Sequence, residues 1–189
     1  MNYLKVVTAI IFIFGLIYIL SPGPASINDF PPPPDSLKSD EPGDTYQVPN
    51  IAAYFSDFDR AKITQFYKKA FQNLYFFGLL PPIKLNHPPE YARQVIRNEQ
   101  VSTFLEEYVY PFRGSLFVNG YEPFVENEMK KNNHNFVGDH IHIQGRYFNS
   151  KTTLRFYPAD FFGRVVVYLG VWLAVFVLFE VGKRTFREA

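Results

Sequence analysis

Val6-Val7-Thr8-Ala9-Ile10-Ile11-Phe12-Ile13-Phe14-Gly15-Leu16-Ile17-Tyr18-Ile19-Leu20 contains no charged side chain, and a second run, Val165 to Val181, meets its first charge only at Glu180. Leu4 to Leu20 spans about 25 Å as a helix at 1.5 Å per residue, near the lower limit for crossing a bilayer. Lys5 extends the reach because its amine can snorkel toward headgroups. Phe161 and Phe162 lengthen the second run, and Arg164 can reach back to the interface. A charge at the bilayer centre costs about 2.5–3.5 kcal/mol, and neither run places one there. Both ends therefore read as transmembrane helices, 4–20 and 161–182.

The first run has a rival reading as a cleaved signal peptide. Lys5 supplies a basic flank, and Gly23 and Ala25 place small residues at the −3 and −1 positions of a cut after Ala25. Pro22 and Pro24 crowd that site, and the apolar stretch is long for a signal peptide, so an uncleaved signal anchor is the expectation. Lys5 precedes the first span, whereas Lys183, Arg184 and Arg187 follow the second. Between them, Asp29, Asp35, Asp40, Glu41 and Asp44 face Lys38 alone in residues 21–50. By the positive-inside rule, the short N-terminus (1–5) and the basic tail (183–189) are cytoplasmic and residues 21–160 are extracytoplasmic. A bacterial inner membrane is the default reading.

Composition narrows the remainder. The chain has 189 residues, no cysteine and a formal charge of +1, with 47% apolar residues. Without thiols, disulfide scaffolds, cysteine-ligated zinc modules and thiol enzymes are excluded. Near-neutral charge gives no reason to expect nucleic acid. Residues 21–50 carry Pro22, Pro24, Pro31 to Pro34, Pro42 and Pro49, and read as an extended, acidic linker.

Residues 51–160 read as an α+β domain, helices first and antiparallel strands after. Ser56 is the expected cap of a helix through Ile63, Phe66, Tyr67, Ala70, Phe71 and Leu74, stopped by Gly78. A second helix is expected from Pro88-Pro89, with a possible continuation over 101–110. Ser115 to Val118 and Tyr121 to Phe124, around Asn119-Gly120, predict a hairpin with a type I′ turn. His140 to Tyr147 alternates apolar and polar side chains and reads as one strand, partnered by Thr152 to Tyr157.

The candidate metal ligands are His134, Asp139, His140 and His142. His140 and His142 lie two apart on a strand, so both imidazoles share a face. The same pattern arises on any solvent-facing strand, and no metal motif of recognisable spacing accompanies it. Searches for nucleophile elbows, Ser-x-x-Lys, phosphate loops and dinucleotide fingerprints find nothing. No catalytic residue and no cofactor is therefore expected. Among 21 Phe and 13 Tyr, Tyr108, Tyr110, Phe117 and Tyr121 are candidate interface aromatics. Gly170-x-x-x-Ala174 is a small-residue spacing suited to close helix packing.

The expected function is a non-catalytic binding, assembly or scaffold protein of the cell envelope. Its partners would be the lipid bilayer and other membrane or envelope proteins, including a second copy of itself. A membrane-tethered metal-dependent hydrolase using the His/Asp cluster is the first alternative. An envelope-polysaccharide binder is the second.

Overall fold

The computed structural model describes residues 2–71, 80–87, 110–121 and 140–188. These elements are α1 (Asn2–Leu20), β1 (Leu37–Lys38), α2 (Pro42–Thr45), β2 (Ile51–Ser56), α3 (Arg60–Phe71), β3 (Lys84–Asn86), β4 (Ser115–Tyr121), β5 (Ile141–Ile143), β6 (Arg146–Phe148), β7 (Ser150–Tyr157) and α4 (Phe161–Glu188). The architecture is mixed α+β, with two compact units.

One unit comprises residues 24–109 and 114–158. Five of its strands form a sheet in the order β1-β2-β7-β4-β3, and β5 pairs with β6 separately. The central strand β7 runs antiparallel to both β2 and β4. The register sets Ala52 opposite Leu154, Leu116 opposite Phe156 and Val118 opposite Leu154. Because side chains alternate across a sheet, these residues line one face, and α3 packs Ile63 and Tyr67 into the same buried cluster. Asp59 Oδ1 accepts from the Lys62 amide at 2.8 Å, capping α3 three residues beyond the expected Ser56. Ser56 instead ends β2, where its hydroxyl lies 3.1 Å from that of Ser150. The strand was hidden because Ala52 through Ser56 are all buried, which erases the alternation of a half-exposed strand.

The proline-rich segment is part of this fold and not a free spacer. Ile27 and Phe30 enter the core, where the Phe30 ring lies 4.9 Å from Phe156 and 5.3 Å from Phe71. Burying a phenylalanine of this kind contributes about 1.5–3 kcal/mol, enough to oppose the ordering of several residues. Tyr67 donates its hydroxyl to the Pro31 carbonyl at 2.9 Å. Residues Leu37 and Lys38 pair with Phe55 and Tyr54 of β2. Asp44 then accepts from Ser39 Oγ at 2.6 Å and takes Lys151 Nζ at 2.7 Å. Composition alone underrated the segment because a few well-spaced apolar residues suffice when the prolines have already restricted the backbone.

Two strand expectations are corrected. Asn119 and Gly120 do not turn the chain: β4 continues through them, pairing Asn119 with Thr153 and Gly120 with Thr152. The long ladder offered by β7 outweighs the local turn preference. The two-residue turn lies instead at Gln144-Gly145, with φ 51° and 78°, so His140 to Tyr147 is broken into β5 and β6. Positive φ at both positions matches the right-handed twist of the flanking strands. The expected helices over 88–96 and 101–110 lie outside the described residues, apart from Tyr110.

The other unit contains residues 1–23, 110–113 and 159–189. Its helices α1 and α4 are long and apolar enough to cross a membrane, over Tyr3–Leu20 and Phe161–Thr185. Only 6% of each stretch is buried, which is the reverse of a soluble core helix.

Candidate functional site

The contacts within the helical unit show how its two helices recognise each other. Phe12 lies against Tyr168 at 5.6 Å and against Trp172 at 5.4 Å, while Gly15 also faces Tyr168. Earlier residues of α1 meet later residues of α4, so the helices are antiparallel. Gly15 is a close-approach position: a Cβ there would come within 2.9 Å of the Tyr168 ring and overlap its hydroxyl. That hydroxyl donates to the Phe12 carbonyl at 2.6 Å. A polar side chain in an apolar helix is thus satisfied by its partner helix.

At the carboxyl end of α1, the Arg113 guanidinium gathers the carbonyls that the helix leaves without an intrahelical donor. Its Nη1 donates to Tyr18 O at 3.1 Å, to Ser21 O and to Ser21 Oγ at 2.9 Å, and its Nη2 donates to Pro22 O at 2.9 Å. The guanidinium also lies 5.1 Å from the Tyr18 ring centroid. Arg113 is only 5% exposed, and these acceptors offset the cost of burying its charge. A positive charge at a helix carboxyl end also complements the macrodipole. In sequence, Arg113-Gly114 reads as a turn, and Gly114 does adopt φ 83°. Nothing local in the sequence marks Arg113 as a cap for a helix end at Ser21, 92 residues earlier.

The expected packing residues Gly170 and Ala174 do not form this contact. A Cβ at Gly170 would meet nothing within 4 Å, and Ala174 is exposed. Helix pairing is carried by Gly15, Phe12, Tyr168 and Trp172 instead. Glu180 takes Lys183 as an ion-pair partner at 2.7 Å.

Of the candidate metal ligands, His134 and Asp139 lie outside the described residues. His140 and His142 are exposed on the β5–β6 hairpin, where their rings lie 6.3 and 4.7 Å from that of Tyr147. His140 Nδ1 is 2.9 Å from Asn149 Oδ1. Among the described residues, no group of three or more His, Cys, Asp or Glu side chains is arranged to hold a metal ion.

The candidate interface aromatics divide differently. Phe117 is buried, with its ring 5.1 Å from Tyr157, so it is a packing residue. Tyr110 is half-buried against Phe112 at 5.5 Å. Tyr121 ends β4 opposite Lys151, and Tyr108 lies outside the described residues. The aromatic that the hairpin does display is Tyr147, 64% exposed. Its position opposite His142 follows from the turn at Gln144-Gly145. No protein-family model, curated protein or solved structure matches this chain.

Proposed function

We propose that this chain is a two-span membrane protein that holds its α+β unit in the extracytoplasmic compartment of a cell envelope as a non-catalytic binding or assembly component. The single observation that carries the reading is the apolar exterior of the paired helices. Ile10, Ile13, Phe14 and Ile17 on α1, and Leu173, Phe176, Leu178 and Phe179 on α4, are all exposed. Water would penalise each of them by about 1–3 kcal/mol relative to an apolar surrounding, whereas lipid removes that penalty.

The pairing also supports a retained signal anchor. Cleavage after Ala25 would remove every acceptor that Arg113 holds on Tyr18, Ser21 and Pro22. It would also leave the Tyr168 hydroxyl without the Phe12 carbonyl. A retained α1 keeps these hydrogen bonds to the Arg113 guanidinium and the Tyr168 hydroxyl in place. Lys5 before α1 and Lys183, Arg184 and Arg187 at the end of α4 favour cytoplasmic termini. Lipid is the first partner of this arrangement; other envelope proteins, or a second copy, are the macromolecular partners that a scaffold requires.

The absence of cysteine makes the topology directly testable, because each introduced thiol is the sole one in the chain. Asp40→Cys places a thiol at an exposed position, and Lys183→Cys places one near the end of α4. In intact cells a membrane-impermeant maleimide is expected to label the first variant and to reach the second only after permeabilisation. The opposite pattern, or equal labelling of both, overturns the proposal. Intact mass of the purified chain, expected to include α1, checks the retained anchor.

A further inference from the structure

We propose that Arg164 binds the phosphate of a phospholipid headgroup, in the leaflet that meets the Ser21 and Phe161 ends of the two helices. The site rests on the membrane reading above and adds a specific ligand to it. Arg164 lies in the first turn of α4, at the start of the apolar stretch Phe161–Thr185. When such a stretch spans a bilayer, lipid phosphates lie near its ends, and a long cationic side chain reaches them by snorkelling. The guanidinium lies 5.6 Å from the Phe161 ring centroid, and Phe161 and Phe162 are 55% and 73% exposed. Aromatic rings at a span end mark the headgroup zone, and these two offer apolar surface to the acyl chains of a bound lipid.

The hydrogen bonding of Arg164 supplies the second argument. Its Nε is buried and has no acceptor, although buried polar atoms are nearly always paired. Among the described residues its guanidinium makes one hydrogen bond, a long one from Nη1 to Ser21 O at 3.5 Å. That oxygen already accepts from Arg113 Nη1, so two cations converge on one carbonyl. Asp160, four residues earlier, directs its carboxylate to the Gly163 amide at 2.9 Å instead. A half-buried cation short of acceptors, beside a second cation, favours an anion as its partner. Phosphate fits because its oxygens match the donor fork of a guanidinium. A lipid carries that phosphate to the depth of Arg164 without a separate transfer out of water.

The test uses the full-length chain in maltoside micelles, which contain no phosphate, and measures lipid retention by native mass spectrometry. The wild type is expected to retain phosphatidylglycerol about tenfold more tightly than a digalactosyl lipid with the same acyl chains. Arg164→Gln is expected to remove that preference. Arg164→Lys keeps the charge but not the fork, and is expected to weaken phosphatidylglycerol binding about threefold. Lys183→Gln, toward the opposite end of α4, is expected to bind as the wild type does. Circular dichroism checks that each variant is folded, and flotation with vesicles after an alkaline wash checks insertion. An inserted wild type with no preference for the phospholipid, or an unchanged preference in folded Arg164→Gln, overturns the site and leaves anchoring intact. Displacement of the lipid by inorganic phosphate at equal concentration makes the ligand a free anion and overturns the headgroup assignment. A wild type that does not float overturns the membrane reading, and the site with it.

Discussion

Phe156 and Phe162 are six residues apart and opposite in environment: the first is 2% exposed in the sheet unit, the second 73% exposed on the helix that follows. The same side chain is the inside of one region and the outside of the other. In the sheet unit, burial alternates along β7, and its Leu154 and Phe156 converge with α3 on one core. In the helical unit, apolar residues cover most of each helix, while Tyr168 and Arg113 turn inward to carbonyl oxygens. What differs is the solvent for which each surface is suited. A sheet unit in water hides its hydrocarbon; a helix pair in lipid displays hydrocarbon and hides its hydrogen bonds.

The sharpest way to break this comparison is to truncate both phenylalanines. Phe156→Ala is expected to destabilise the sheet unit by about 3–5 kcal/mol, because it removes contacts with Phe30 and leaves a cavity in the core. Phe162→Ala is expected to remain within about 0.5 kcal/mol, since nothing packed is lost. Urea unfolding in micelles, followed by near-ultraviolet dichroism, measures both. Equal costs would mean that the two regions do not face different solvents.

A smaller effect sharpens the account of the sheet unit. Burial, followed by repulsion from a charged Tyr54, raises the Tyr67 hydroxyl above the ordinary phenol range. The neutral form is therefore favoured in the folded state. The resulting stability is complete below the ordinary phenol pKa and declines as pH rises above about 10, where the unfolded chain loses the proton more readily. Tyr67→Phe is expected to cost about 1 kcal/mol at neutral pH through loss of the bond to Pro31. It is also expected to flatten the alkaline part of the stability profile, read from unfolding midpoints across that range.

The smallest effect belongs to the helical pair. Tyr168→Phe removes only the hydroxyl that Phe12 accepts, and interhelical bonds of this type average about 0.6 kcal/mol. Energy transfer between labels on α1 and α4 is expected to show weaker pairing without loss of membrane insertion. A variant that no longer inserts would mean that the bond governs insertion and not pairing.

That both ends form long apolar helices was legible, because each is a long run almost free of charge. The pairing was not: Gly170 and Ala174 have the favoured spacing, yet contact falls on Gly15 and Tyr168, a choice set by two surfaces meeting and by neither alone. In the sheet region α3 was readable from Ile63, Phe66 and Tyr67, but β2 escaped because burial on both faces removes the period of two. Asn119-Gly120 misled for a related reason. A turn dipeptide is a local preference, and β7 supplied a long-range ladder that outweighed it. Arg113 shows the limit most clearly, since its significance depends on carbonyls at Tyr18, Ser21 and Pro22 that no window of sequence brings together.

The folding-in of residues 24–50 has a practical corollary for anyone seeking a soluble piece of this protein. Trimming at Ile51, where composition suggests a boundary, would strip Ile27 and Phe30 from the core and the Asp44 carboxylate from Lys151. It would also bare the outer rim of β2, now paired with Leu37 and Lys38, inviting strand-to-strand aggregation. The prolines are better regarded as a clasp than as a tether, and a cut at Pro24 keeps the clasp shut.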